Sequence, residues 1–414
     1  MSTDNFKIVI MGLHYAPEST GNAPYTTGLA EGLSSRGHTV QVLTGYPHYP
    51  EWKVHAGYKG WSSREVVNGV RVKRFRHHVP TRPTSLSRLH MELSFGVRLL
   101  FARWGRPDVI ILVSPALFSV GVASLRYKLS RNRPAIAIWV QDLYSRGVVE
   151  AGNGSRGFGK LAIWLEARIL TSGDGVVAIH ERFARYIIAS LHGSHSSTRV
   201  VRNWTHLPEA PCSDRRDTRA SLGWSEDEII VLHAGNMGKK QGLHNVVTAA
   251  KYAETIKSKV RFVLMGDGNQ KMRLIAASAG ISNIDFVDSL PQRDFQAAMR
   301  AADVLLVNEL PGVKDMSVPS KLTSYFSAGV PVLAATDEGS VTASEIEASS
   351  AGVRVNANDP QGLVQAAEEL AQDPELAARL GDNGIRFTRD TLSAGAAIDQ
   401  FDDYVRHLAQ SRSR

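Results

Sequence analysis

Short, continuous runs of apolar residues alternate along the chain with longer amphipathic segments. Continuous apolar runs of this length predict strands of parallel sheets that are covered on both faces. In the first half these runs lie at residues 6–11, 39–43, 109–113, 135–140 and 176–179. In the second half they lie at residues 229–233, 261–265, 284–287, 304–307 and 330–334. Between the runs the pattern predicts helices, as at residues 23–36, 86–104 and 245–253.

Strand–helix alternation on this scale predicts an α/β protein with two doubly wound domains. The length of 414 residues also exceeds what one hydrophobic core usually serves. The polar, proline-bearing residues 208–217, which include the only cysteine, Cys212, are the predicted linker. We therefore predict domains at residues 1–207 and 208–390. Residues 391–414 form a terminal segment, helical over about residues 391–409, that we expect to pack back on the first domain.

Charge is distributed unevenly between the two halves. Residues 1–210 carry 26 Lys and Arg against 13 Asp and Glu, whereas residues 211–414 carry 22 against 27. A basic half can face nucleic acid, an anionic membrane or an anionic substrate. The single cysteine fits a reducing compartment, and the sequence has neither a signal-peptide pattern nor a long uncharged apolar run. We therefore expect a cytoplasmic protein.

The loop after the strand at residues 229–233 is the most informative segment. It holds three glycines and the adjacent Lys239 and Lys240, and it leads into the helix at residues 245–253. Glycines let the backbone approach an anion closely, and a helix N-terminus supplies free N–H groups. The pattern predicts a site for a phosphorylated ligand, although strand–loop–helix units also contain purely structural glycines.

Other candidate residues also follow predicted strands, where ligands bind in doubly wound sheets. The loop at residues 12–22 is long for such a connection, but it lacks the G-x-G-x-x-G pattern of dinucleotide sites. Gln141 and Asp142 follow the strand at residues 135–140. Asp142 can accept a hydrogen bond from a sugar hydroxyl, or it can be an ordinary helix cap or surface residue. The turn at residues 266–268 is a weaker signal.

Residues 315–324 predict a helix start that binds an anion. Pro319 suits the first helical position, and Ser317 or Ser320 can donate a hydrogen bond. Lys321 in the first turn opposes the helix dipole, at a cost of about 0.3–1 kcal/mol for an exposed side chain. An anion held between Lys321 and the helix N-terminus would offset that cost. The alternative is a solvated lysine.

The segment at residues 64–106 is strongly basic, with ten Lys and Arg against two glutamates. Within it, residues 86–104 mix basic and large apolar side chains. Such a helix can lie in a membrane interface, or it can pack on the first sheet with a solvated basic rim. The 14 histidines show no metal-ligand spacing, so we predict no metal site.

Taken in order, these features resemble the retaining, nucleotide-sugar-dependent glycosyltransferases of the GT-B type, group 4. Within that family the chain looks most like the colanic-acid, capsule and O-antigen subgroup. The matching segments are residues 15–21 (YAPESTG), 46–52 (YPHYPEW), 141–142 (QD), 203–204 (NW), 234–242 (AGNMGKKQG) and 318–323 (VPSKLT). Several motifs in the right order are more specific than any one of them.

The resemblance implies two Rossmann-like domains that face each other across a cleft, with the acceptor on the first and the donor on the second. The implied catalytic residues are Gln141, Asp142, Lys240 and Lys321. The implied donor-binding residues are Gly21, Asn22, Gly235, Asn236, Lys239, Gly266, Gly268, Ser317 and Ser320, with both later glycines leaving room for the nucleoside. The implied acceptor-binding residues are His14, Glu18 and Tyr49.

Two departures from the family pattern matter. Many members have His-Asp where this chain has Gln141-Asp142, and an amide cannot act as a base, so we assign Gln141 a sugar contact. Many members also carry two glutamates where this chain has Met316 and Ser324. Recognition of the ribose by a glutamate is therefore not predicted from those positions.

The function that the resemblance implies is transfer of a hexose or N-acetylhexosamine, with retention, from a UDP- or GDP-sugar to a lipid-linked or other envelope glycan. We expect no cofactor and no metal. We do expect peripheral contact with an anionic membrane. A nucleotide-sugar epimerase of the same architecture is the alternative. Nucleic acid is not an expected partner, because the phosphate-binding loops fall mainly in the acidic half.

Overall fold

Two mostly parallel sheets, each covered by helices, form the frame of the molecule. The computed structural model describes residues 5–19, 21–82, 84–129, 133–145, 156–205, 214–313 and 321–413. Its contacts divide the chain into unit 1, which comprises Met1–His206 and Ala394–Arg414, and unit 2, Leu207–Ser393. The predicted α/β class with doubly wound sheets is confirmed.

The sheet of unit 1 has the strand order β3-β4-β2-β1-β5-β6-β7-β8, and every neighbouring pair is parallel except β3–β4. The order reverses between β1 and β5, so ligands are expected beyond the carboxyl ends of these two strands. The strands are β1 (Lys7–Met11), β2 (Thr39–Gly45), β3 (Ser62–Val67), β4 (Val70–Phe75), β5 (Val109–Ser114), β6 (Ala135–Val140), β7 (Gly175–Ala178) and β8 (Thr198–Val200).

Six helices cover the sheet of unit 1 in the part of the chain that the structure describes. They are α1 (Ala23–Ser35), α2 (Ser85–Phe101), α3 (Leu117–Leu129), α4 (Arg156–Leu170), α5 (Glu181–Ser190) and, from the end of the chain, α14 (Ala394–Ser413). Helix α2 begins at a capping box in which Thr84 accepts a hydrogen bond from the backbone N–H of Ser87. Its Met91, Phe95 and Leu99 are buried.

The sheet of unit 2 is entirely parallel, with the order β11-β10-β9-β12-β13-β14. Here the order reverses between β9 and β12. The strands are β9 (Ile229–Ala234), β10 (Val260–Met265), β11 (Ile284–Val287), β12 (Val304–Asn308), β13 (Val332–Ala335) and β14 (Gly352–Val355). The helices are α6 (Arg215–Leu222), α7 (His244–Thr255), α8 (Lys271–Ala277), α9 (Gln292–Ala301), α10 (Lys321–Ala328), α11 (Val341–Ser349), α12 (Pro360–Gln372) and α13 (Pro374–Thr391).

Burial explains why the central strands were predictable and the edge strands were not. Every residue of β5 and β6 is buried, as their continuous apolar runs predict. In contrast, β3 alternates exposed and half-buried residues at the edge of the sheet. The hairpin of β3 and β4 was therefore not predicted; its residues fall in the segment at 64–106 that the sequence identified only as basic, or just before it.

Several predicted boundaries were wrong. Helix α2 ends at Phe101 rather than at residue 104, because the backbone at Ala102 is already extended. The tail helix does not start at residue 391, because α13 ends there: the N–H of Leu392 donates to the carbonyls of Phe387 and Thr388, and α14 begins at Ala394. Strand β13 starts at Val332 rather than at residue 330, after Pro331, which has no N–H to donate. Residues 214–217 are not linker, because Asp214 caps α6. The rest of the predicted linker, with Cys212, lies outside the described residues.

Helix α14 packs on the part of unit 1 that precedes it in sequence, as expected for the terminal segment. Asp399 forms an ion pair with Arg36, and Asp402 accepts a hydrogen bond from the ring of the buried His38. The ring of Phe401 lies 4.9 Å from that of Trp139 on β6. Within the described residues, no helix has the length and apolar character needed to cross a membrane.

Candidate active site

The glycine-rich loop after β9 is built by close backbone packing. The Cβ of an alanine at Gly266 would lie 2.2 Å from the carbonyl oxygen of Gly235, and one at Gly268 would lie 2.5 Å from that of Met237. Both glycines also have a positive φ. The space beside them is thus filled by the loop itself, and the role implied for them, leaving room for a nucleoside, stays a prediction.

Asn308, at the end of β12, holds the lysine-bearing part of this loop. Its buried side-chain amide donates to the carbonyls of Gln241 (2.7 Å) and Gly242 (3.1 Å) and accepts from the side chain of Asn245 at 2.9 Å. The carbonyl of Lys240 accepts from the N–H of Leu310. The loop backbone is therefore fixed, whereas the side chains of Asn236, Lys239 and Lys240 are exposed.

Lys321, the first residue of α10, lies against the same loop. Its Cε is 4.0 Å from the position that a Cβ of residue 235 would take, and its Nζ is 3.2 Å from Nε2 of His233. The hydroxyl of Tyr325, one turn later, donates to the carbonyl of Ala234 and accepts from its N–H, which fixes α10 to β9. Lys321 and the loop that carries Lys240 thus meet at the carboxyl edge of the sheet. Ser317 and Ser320 lie outside the described residues.

Electrostatics make Lys321 receptive to an anion. Burial lowers the pKa of its ammonium to about 7, although the negative charge of Glu309 opposes that shift. Burial, and then the charge of Lys321, lowers the pKa of His233 well below its usual value. A diphosphate beside Lys321 would supply the counter-charge that a buried ammonium group needs.

Glu18 organises the loop after β1 in unit 1. Its Oε1 accepts from the N–H groups of His48 (2.8 Å) and Tyr49 (2.9 Å), and its Oε2 lies 2.8 Å from Nδ1 of His14. Burial raises the pKa of Glu18, but His14 and the two N–H groups outweigh this effect and lower it to about 2. Because Glu18 is ionised, Nδ1 of His14 is the donor, and its Nε2 can face a ligand.

Aromatic rings surround His14. The rings of His48 and Tyr49 lie 5.1 Å and 5.5 Å from the His14 ring. His48 and His77 are buried, and burial lowers the pKa of both, that of His77 to about 3. The three predicted acceptor-binding residues, His14, Glu18 and Tyr49, therefore form one cluster.

Sequence spacing did not predict that possible metal ligands meet in this cluster. One ligand atom each of His14, Glu18 and His48 lies within 4.8 Å of the others. Both carboxylate oxygens of Glu18 already accept hydrogen bonds, and Nδ1 of His48 donates to the carbonyl of Tyr46. Nε2 of His48, in contrast, is buried without a partner among the described residues, so hydrogen bonds do not occupy every possible ligand atom, and the absence of a metal stays a prediction.

The remaining predicted residues of unit 1 lie at the carboxyl edge of its sheet. Gly21 has a φ of +64°, and Asn22 precedes α1. Gln141 follows β6 directly, is buried, and accepts a hydrogen bond from the amide of Asn203 at 2.7 Å. Burial raises the pKa of Tyr49, the charge of Arg88 opposes this rise, and the charges of Glu18 and then Asp142 add to it. Asp142 therefore lies close enough to Tyr49 to act on it electrostatically.

Sequence reasoning missed three residues at the glycine-rich loop after β9. His233 was assigned only to a strand, and Asn308 and Glu309 were not singled out. Glu309 accepts hydrogen bonds from the hydroxyls of Thr336 and Thr342, at 2.5 and 2.7 Å. Asn308 and Glu309 directly follow the strand predicted at residues 304–307, so their place at a strand end was the signal that could have found them.

Known glycosyltransferase domains match both halves of the chain. A model of the glycosyl transferase 4-like domain matches residues 20–204, and a model of the group 1 glycosyl transferases matches residues 214–387. WcaI from Escherichia coli, named as a colanic acid biosynthesis glycosyl transferase, is 31% identical over 336 residues, which cover 78% of this chain and 81% of WcaI.

Solved structures show the same fold. The sucrose-phosphate synthase of Thermosynechococcus elongatus superposes with a TM-score of 0.76 at 18% identity, over 98% of this chain and all of that one. HepE from Anabaena, in complex with UDP-glucose, superposes with a TM-score of 0.68 at 16% identity, over 99% of this chain and all of that one. The chain therefore belongs to the group 1 family of glycosyltransferases and has the GT-B fold.

Proposed function

We propose that the protein transfers a hexose or N-acetylhexosamine, with retention, from a UDP- or GDP-sugar to a lipid-linked or other envelope glycan. The observation that carries this proposal is the meeting of Lys321 with the glycine-rich loop at Gly235. Two findings on other proteins support the ligand classes: HepE was solved with UDP-glucose, and WcaI is named for colanic acid biosynthesis.

The donor diphosphate would lie against the loop after β9 and the start of α10. Lys321 and Lys240 stabilise the negative charge that grows on the departing diphosphate, while the N–H group of Asn236 contacts its oxygens. The N–H of Gly235 donates to the carbonyl of Met265, so Gly235 would contribute close backbone approach rather than a hydrogen bond. Lys239, Ser317 and Ser320 add further donors. Because these residues provide charge and hydrogen bonds, we propose a site without a resident cofactor or metal.

The reaction exchanges one C–O bond of the anomeric carbon for another on the same face. As the bond to the diphosphate breaks, the acceptor hydroxyl attacks, and its proton passes to the departing diphosphate oxygen. The chain's contribution is positioning and electrostatic stabilisation. Gln141 and Asp142 would contact the transferred sugar, and Gly21 and Asn22 the donor.

The acceptor would bind at the cluster of His14, Glu18 and Tyr49. The ionised Glu18 fixes the ring of His14, and Nε2 of His14 can then accept a hydrogen bond from the acceptor hydroxyl. Tyr49 packs edge-on against that ring and limits its rotation. Positioning of this kind is what sugar transfer requires of an acceptor site.

An exposed apolar stripe on α2 supports contact with an anionic membrane. Leu86 and Phe101 are each 80% exposed, and Leu93 and Val97 are exposed on the same face of the helix. The opposite face is buried, as the packing interpretation of this helix predicts, and the exposed face leaves room for the membrane interpretation, which stays a proposal. The guanidinium of Arg88 lies 5.0 Å from the ring centroid of Trp52, and that of Arg98 lies 4.5 Å from that of Trp61. Basic side chains beside apolar ones match an anionic bilayer surface.

The test is a transfer assay in which the purified protein receives UDP- and GDP-sugars with lipid-linked glycan acceptors. We expect a glycosylated acceptor whose new linkage has the anomeric configuration of the donor by NMR. Inversion would contradict retention. Acceptor-free conversion of the nucleotide sugar into an isomer would contradict the transferase and favour an epimerase.

A further inference from the structure

Two side-chain amides meet where β6 and β8 end in unit 1. Gln141 follows the last residue of β6, and Asn203 lies three residues after the last residue of β8. The Nδ2 of Asn203 donates to Oε1 of Gln141 at 2.7 Å. Gln141 is only 5% exposed and Asn203 is half-buried, so this pair lies just below the surface of the unit.

Half of this amide pair is open. Two adjacent amides can exchange two hydrogen bonds, but among the described residues neither Nε2 of Gln141 nor Oδ1 of Asn203 has a partner, and both atoms are buried. Exchanging N and O in both amides would leave the same complement: one open donor and one open acceptor. Burying a donor or an acceptor without a partner costs free energy. A donor and an acceptor left open in one pair therefore mark a candidate position for a ligand group that both donates and accepts.

The pair cannot easily close on itself. Trp204, next to Asn203, stacks on Trp139 with an interplanar angle of 13° and meets the ring of Tyr25 edge-on at 5.6 Å. A Cβ at Gly28 of α1 would lie 3.3 Å from the Trp204 ring, so helix and indole are in close contact. The backbone at residue 203 is therefore fixed, as Gln141 is by its strand.

A second amide pair in the same protein has a different use. The side-chain N–H groups of Asn308 donate to the carbonyls of Gln241 and Gly242, and its side-chain oxygen accepts from Asn245. These bonds fix a loop. Gln141 and Asn203 make no such backbone contacts among the described residues. Loop fixation thus explains the pair at Asn308 but does not explain the pair at Gln141.

The groups nearby fit a neutral polar ligand. Ser114 ends β5 beside Val140, and its hydroxyl is buried without a partner among the described residues, as is that of Thr205. Hydroxyls both donate and accept, as the open amide pair does. The open oxygen of Asn203 and the neighbouring carboxylate of Asp142 disfavour an anion, so this part of the edge suits a sugar hydroxyl better than a phosphate.

We propose that Gln141 and Asn203 together bind one hydroxyl of a sugar and select for it. Nε2 of Gln141 donates to the hydroxyl oxygen, and the hydroxyl hydrogen is donated to Oδ1 of Asn203, so one O–H group closes the pair. The inference rests on the proposed sugar transfer. The hydroxyl belongs either to the donor sugar or to the acceptor sugar, and the two are separated by experiment.

The test compares sugars that lack single hydroxyls. Donor and acceptor analogues, each deoxygenated at one position, are assayed with wild type, Gln141→Glu and Gln141→Met. Gln141→Glu keeps the oxygen that accepts from Asn203 but replaces the open donor by an acceptor. We expect wild type to prefer the complete sugar over one analogue by about 10- to 100-fold in kcat/KM, because that analogue leaves the buried amides unpaired.

Both variants should lose the preference for the complete sugar over that one analogue. Their discrimination against analogues deoxygenated at other positions should match that of wild type. The series in which the effect appears, donor or acceptor, identifies the source of the hydroxyl. Gln41→Met, at a half-buried glutamine within β2, is the matched control and should retain it. Unchanged discrimination in both Gln141 variants would overturn the proposal.

A readout without turnover separates this proposal from sugar transfer itself. Saturation-transfer NMR with a panel of methyl glycosides and their deoxy forms reports binding even if no transfer is found. We expect a signal that requires one hydroxyl in wild type and that loses this requirement in Gln141→Met. Equal signals from complete and deoxy glycosides in wild type would overturn the selectivity. Thermal unfolding of the variants near the wild-type temperature shows that the unit is intact.

Discussion

Nζ of Lys321 lies 3.2 Å from Nε2 of the buried His233, on the strand that leads into the glycine-rich loop. A lysine held over a neutral imidazole has little compensation for its own charge. This arrangement favours an anionic ligand over the unliganded state. If the proposed diphosphate binds here, the strength of its binding depends on the protonation of Lys321.

The first prediction concerns turnover. Lys321→Ala and Lys240→Ala should each lower kcat on the order of 10²-fold, because each removes charge stabilisation of the departing diphosphate. Steady-state transfer rates check this. Lys257→Ala, at an exposed lysine after α7, is the control and should match wild type. Near-wild-type rates in both site variants would remove these lysines from the mechanism.

The second prediction is a pH dependence of donor binding. The pKa of Lys321 is about 7, so its ammonium form becomes scarcer as the pH rises from 7 to 9. A bound diphosphate needs that proton, so UDP or GDP affinity should fall over this range, by up to about tenfold per pH unit. Calorimetric titration measures it. Lys321→Arg keeps its charge, so its nucleotide affinity should not change between pH 7 and 9. The same pH dependence of affinity in wild type and Lys321→Arg would contradict the role given to the Lys321 proton.

The third prediction concerns acid stability. The pKa of Glu18 is lowered from 4.5 to about 2, so the ionised carboxylate stabilises the fold above pH 4.5, by about 3 kcal/mol, and this contribution is lost as the pH falls towards 2. Glu18→Gln should lower the free energy of unfolding at pH 7 by a similar amount. Denaturant titrations should show the gap to wild type closing between pH 4.5 and 2.

Glu51→Gln is the control for Glu18, since Glu51 is exposed and pairs with His55 at the surface. It should change the free energy of unfolding by less than about 1 kcal/mol. A gap between wild type and Glu18→Gln that stays constant from pH 7 to pH 2 would refute the role given to the buried carboxylate.

The fourth prediction concerns membranes. Wild type should float with vesicles that contain phosphatidylglycerol and remain unbound with pure phosphatidylcholine. Leu86→Ser with Phe101→Ser should weaken flotation at least about tenfold, because each buried apolar side chain contributes about 1.5–3 kcal/mol. Met272→Ser, at a similarly exposed apolar residue of unit 2, is the matched control. Equal partitioning into both vesicle types would exclude the electrostatic part.

The fifth prediction separates backbone strain from close packing. Gly266→Ala should destabilise the protein by about 2–4 kcal/mol, because its Cβ would meet the carbonyl of Gly235 and its φ is positive. Gly280 also has a positive φ but has no neighbour within 4 Å of its Cβ position. Gly280→Ala should therefore cost only about 1 kcal/mol. Equal costs in denaturant unfolding would show that the close packing is unimportant.

Much of the fold follows from local sequence. Buried parallel strands such as β5 and β6 must be apolar on both faces, and so their runs stand out. Strand β3 was not predicted, because an edge strand has polar side chains at its exposed positions and so forms no continuous apolar run. The break between α13 and α14 escaped because neither proline nor glycine marks it at Leu392 and Ser393.

The site was predictable only in part, for a different reason. Loops at strand ends could be found along the chain, and they led to His14, Gln141 and Lys240. Contacts between residues that are distant in sequence could not be predicted in this way. Gln141 and Asn203 are 62 positions apart, and His233 and Lys321 are 88 apart, and local sequence patterns do not show that such residues meet. Asn308 and Glu309 were overlooked although their position after a strand marked them.

Helix α14 changes how the ends of the chain should be handled. Unit 2 is an uninterrupted stretch, whereas unit 1 is assembled from two stretches that flank it in sequence. Removing the last twenty residues as a dispensable tail would uncover the indole of Trp139 and leave Arg36 and His38 without their carboxylates. A fluorescent label placed after α14 would consequently report on the half that carries His14, not on the half that carries Lys321.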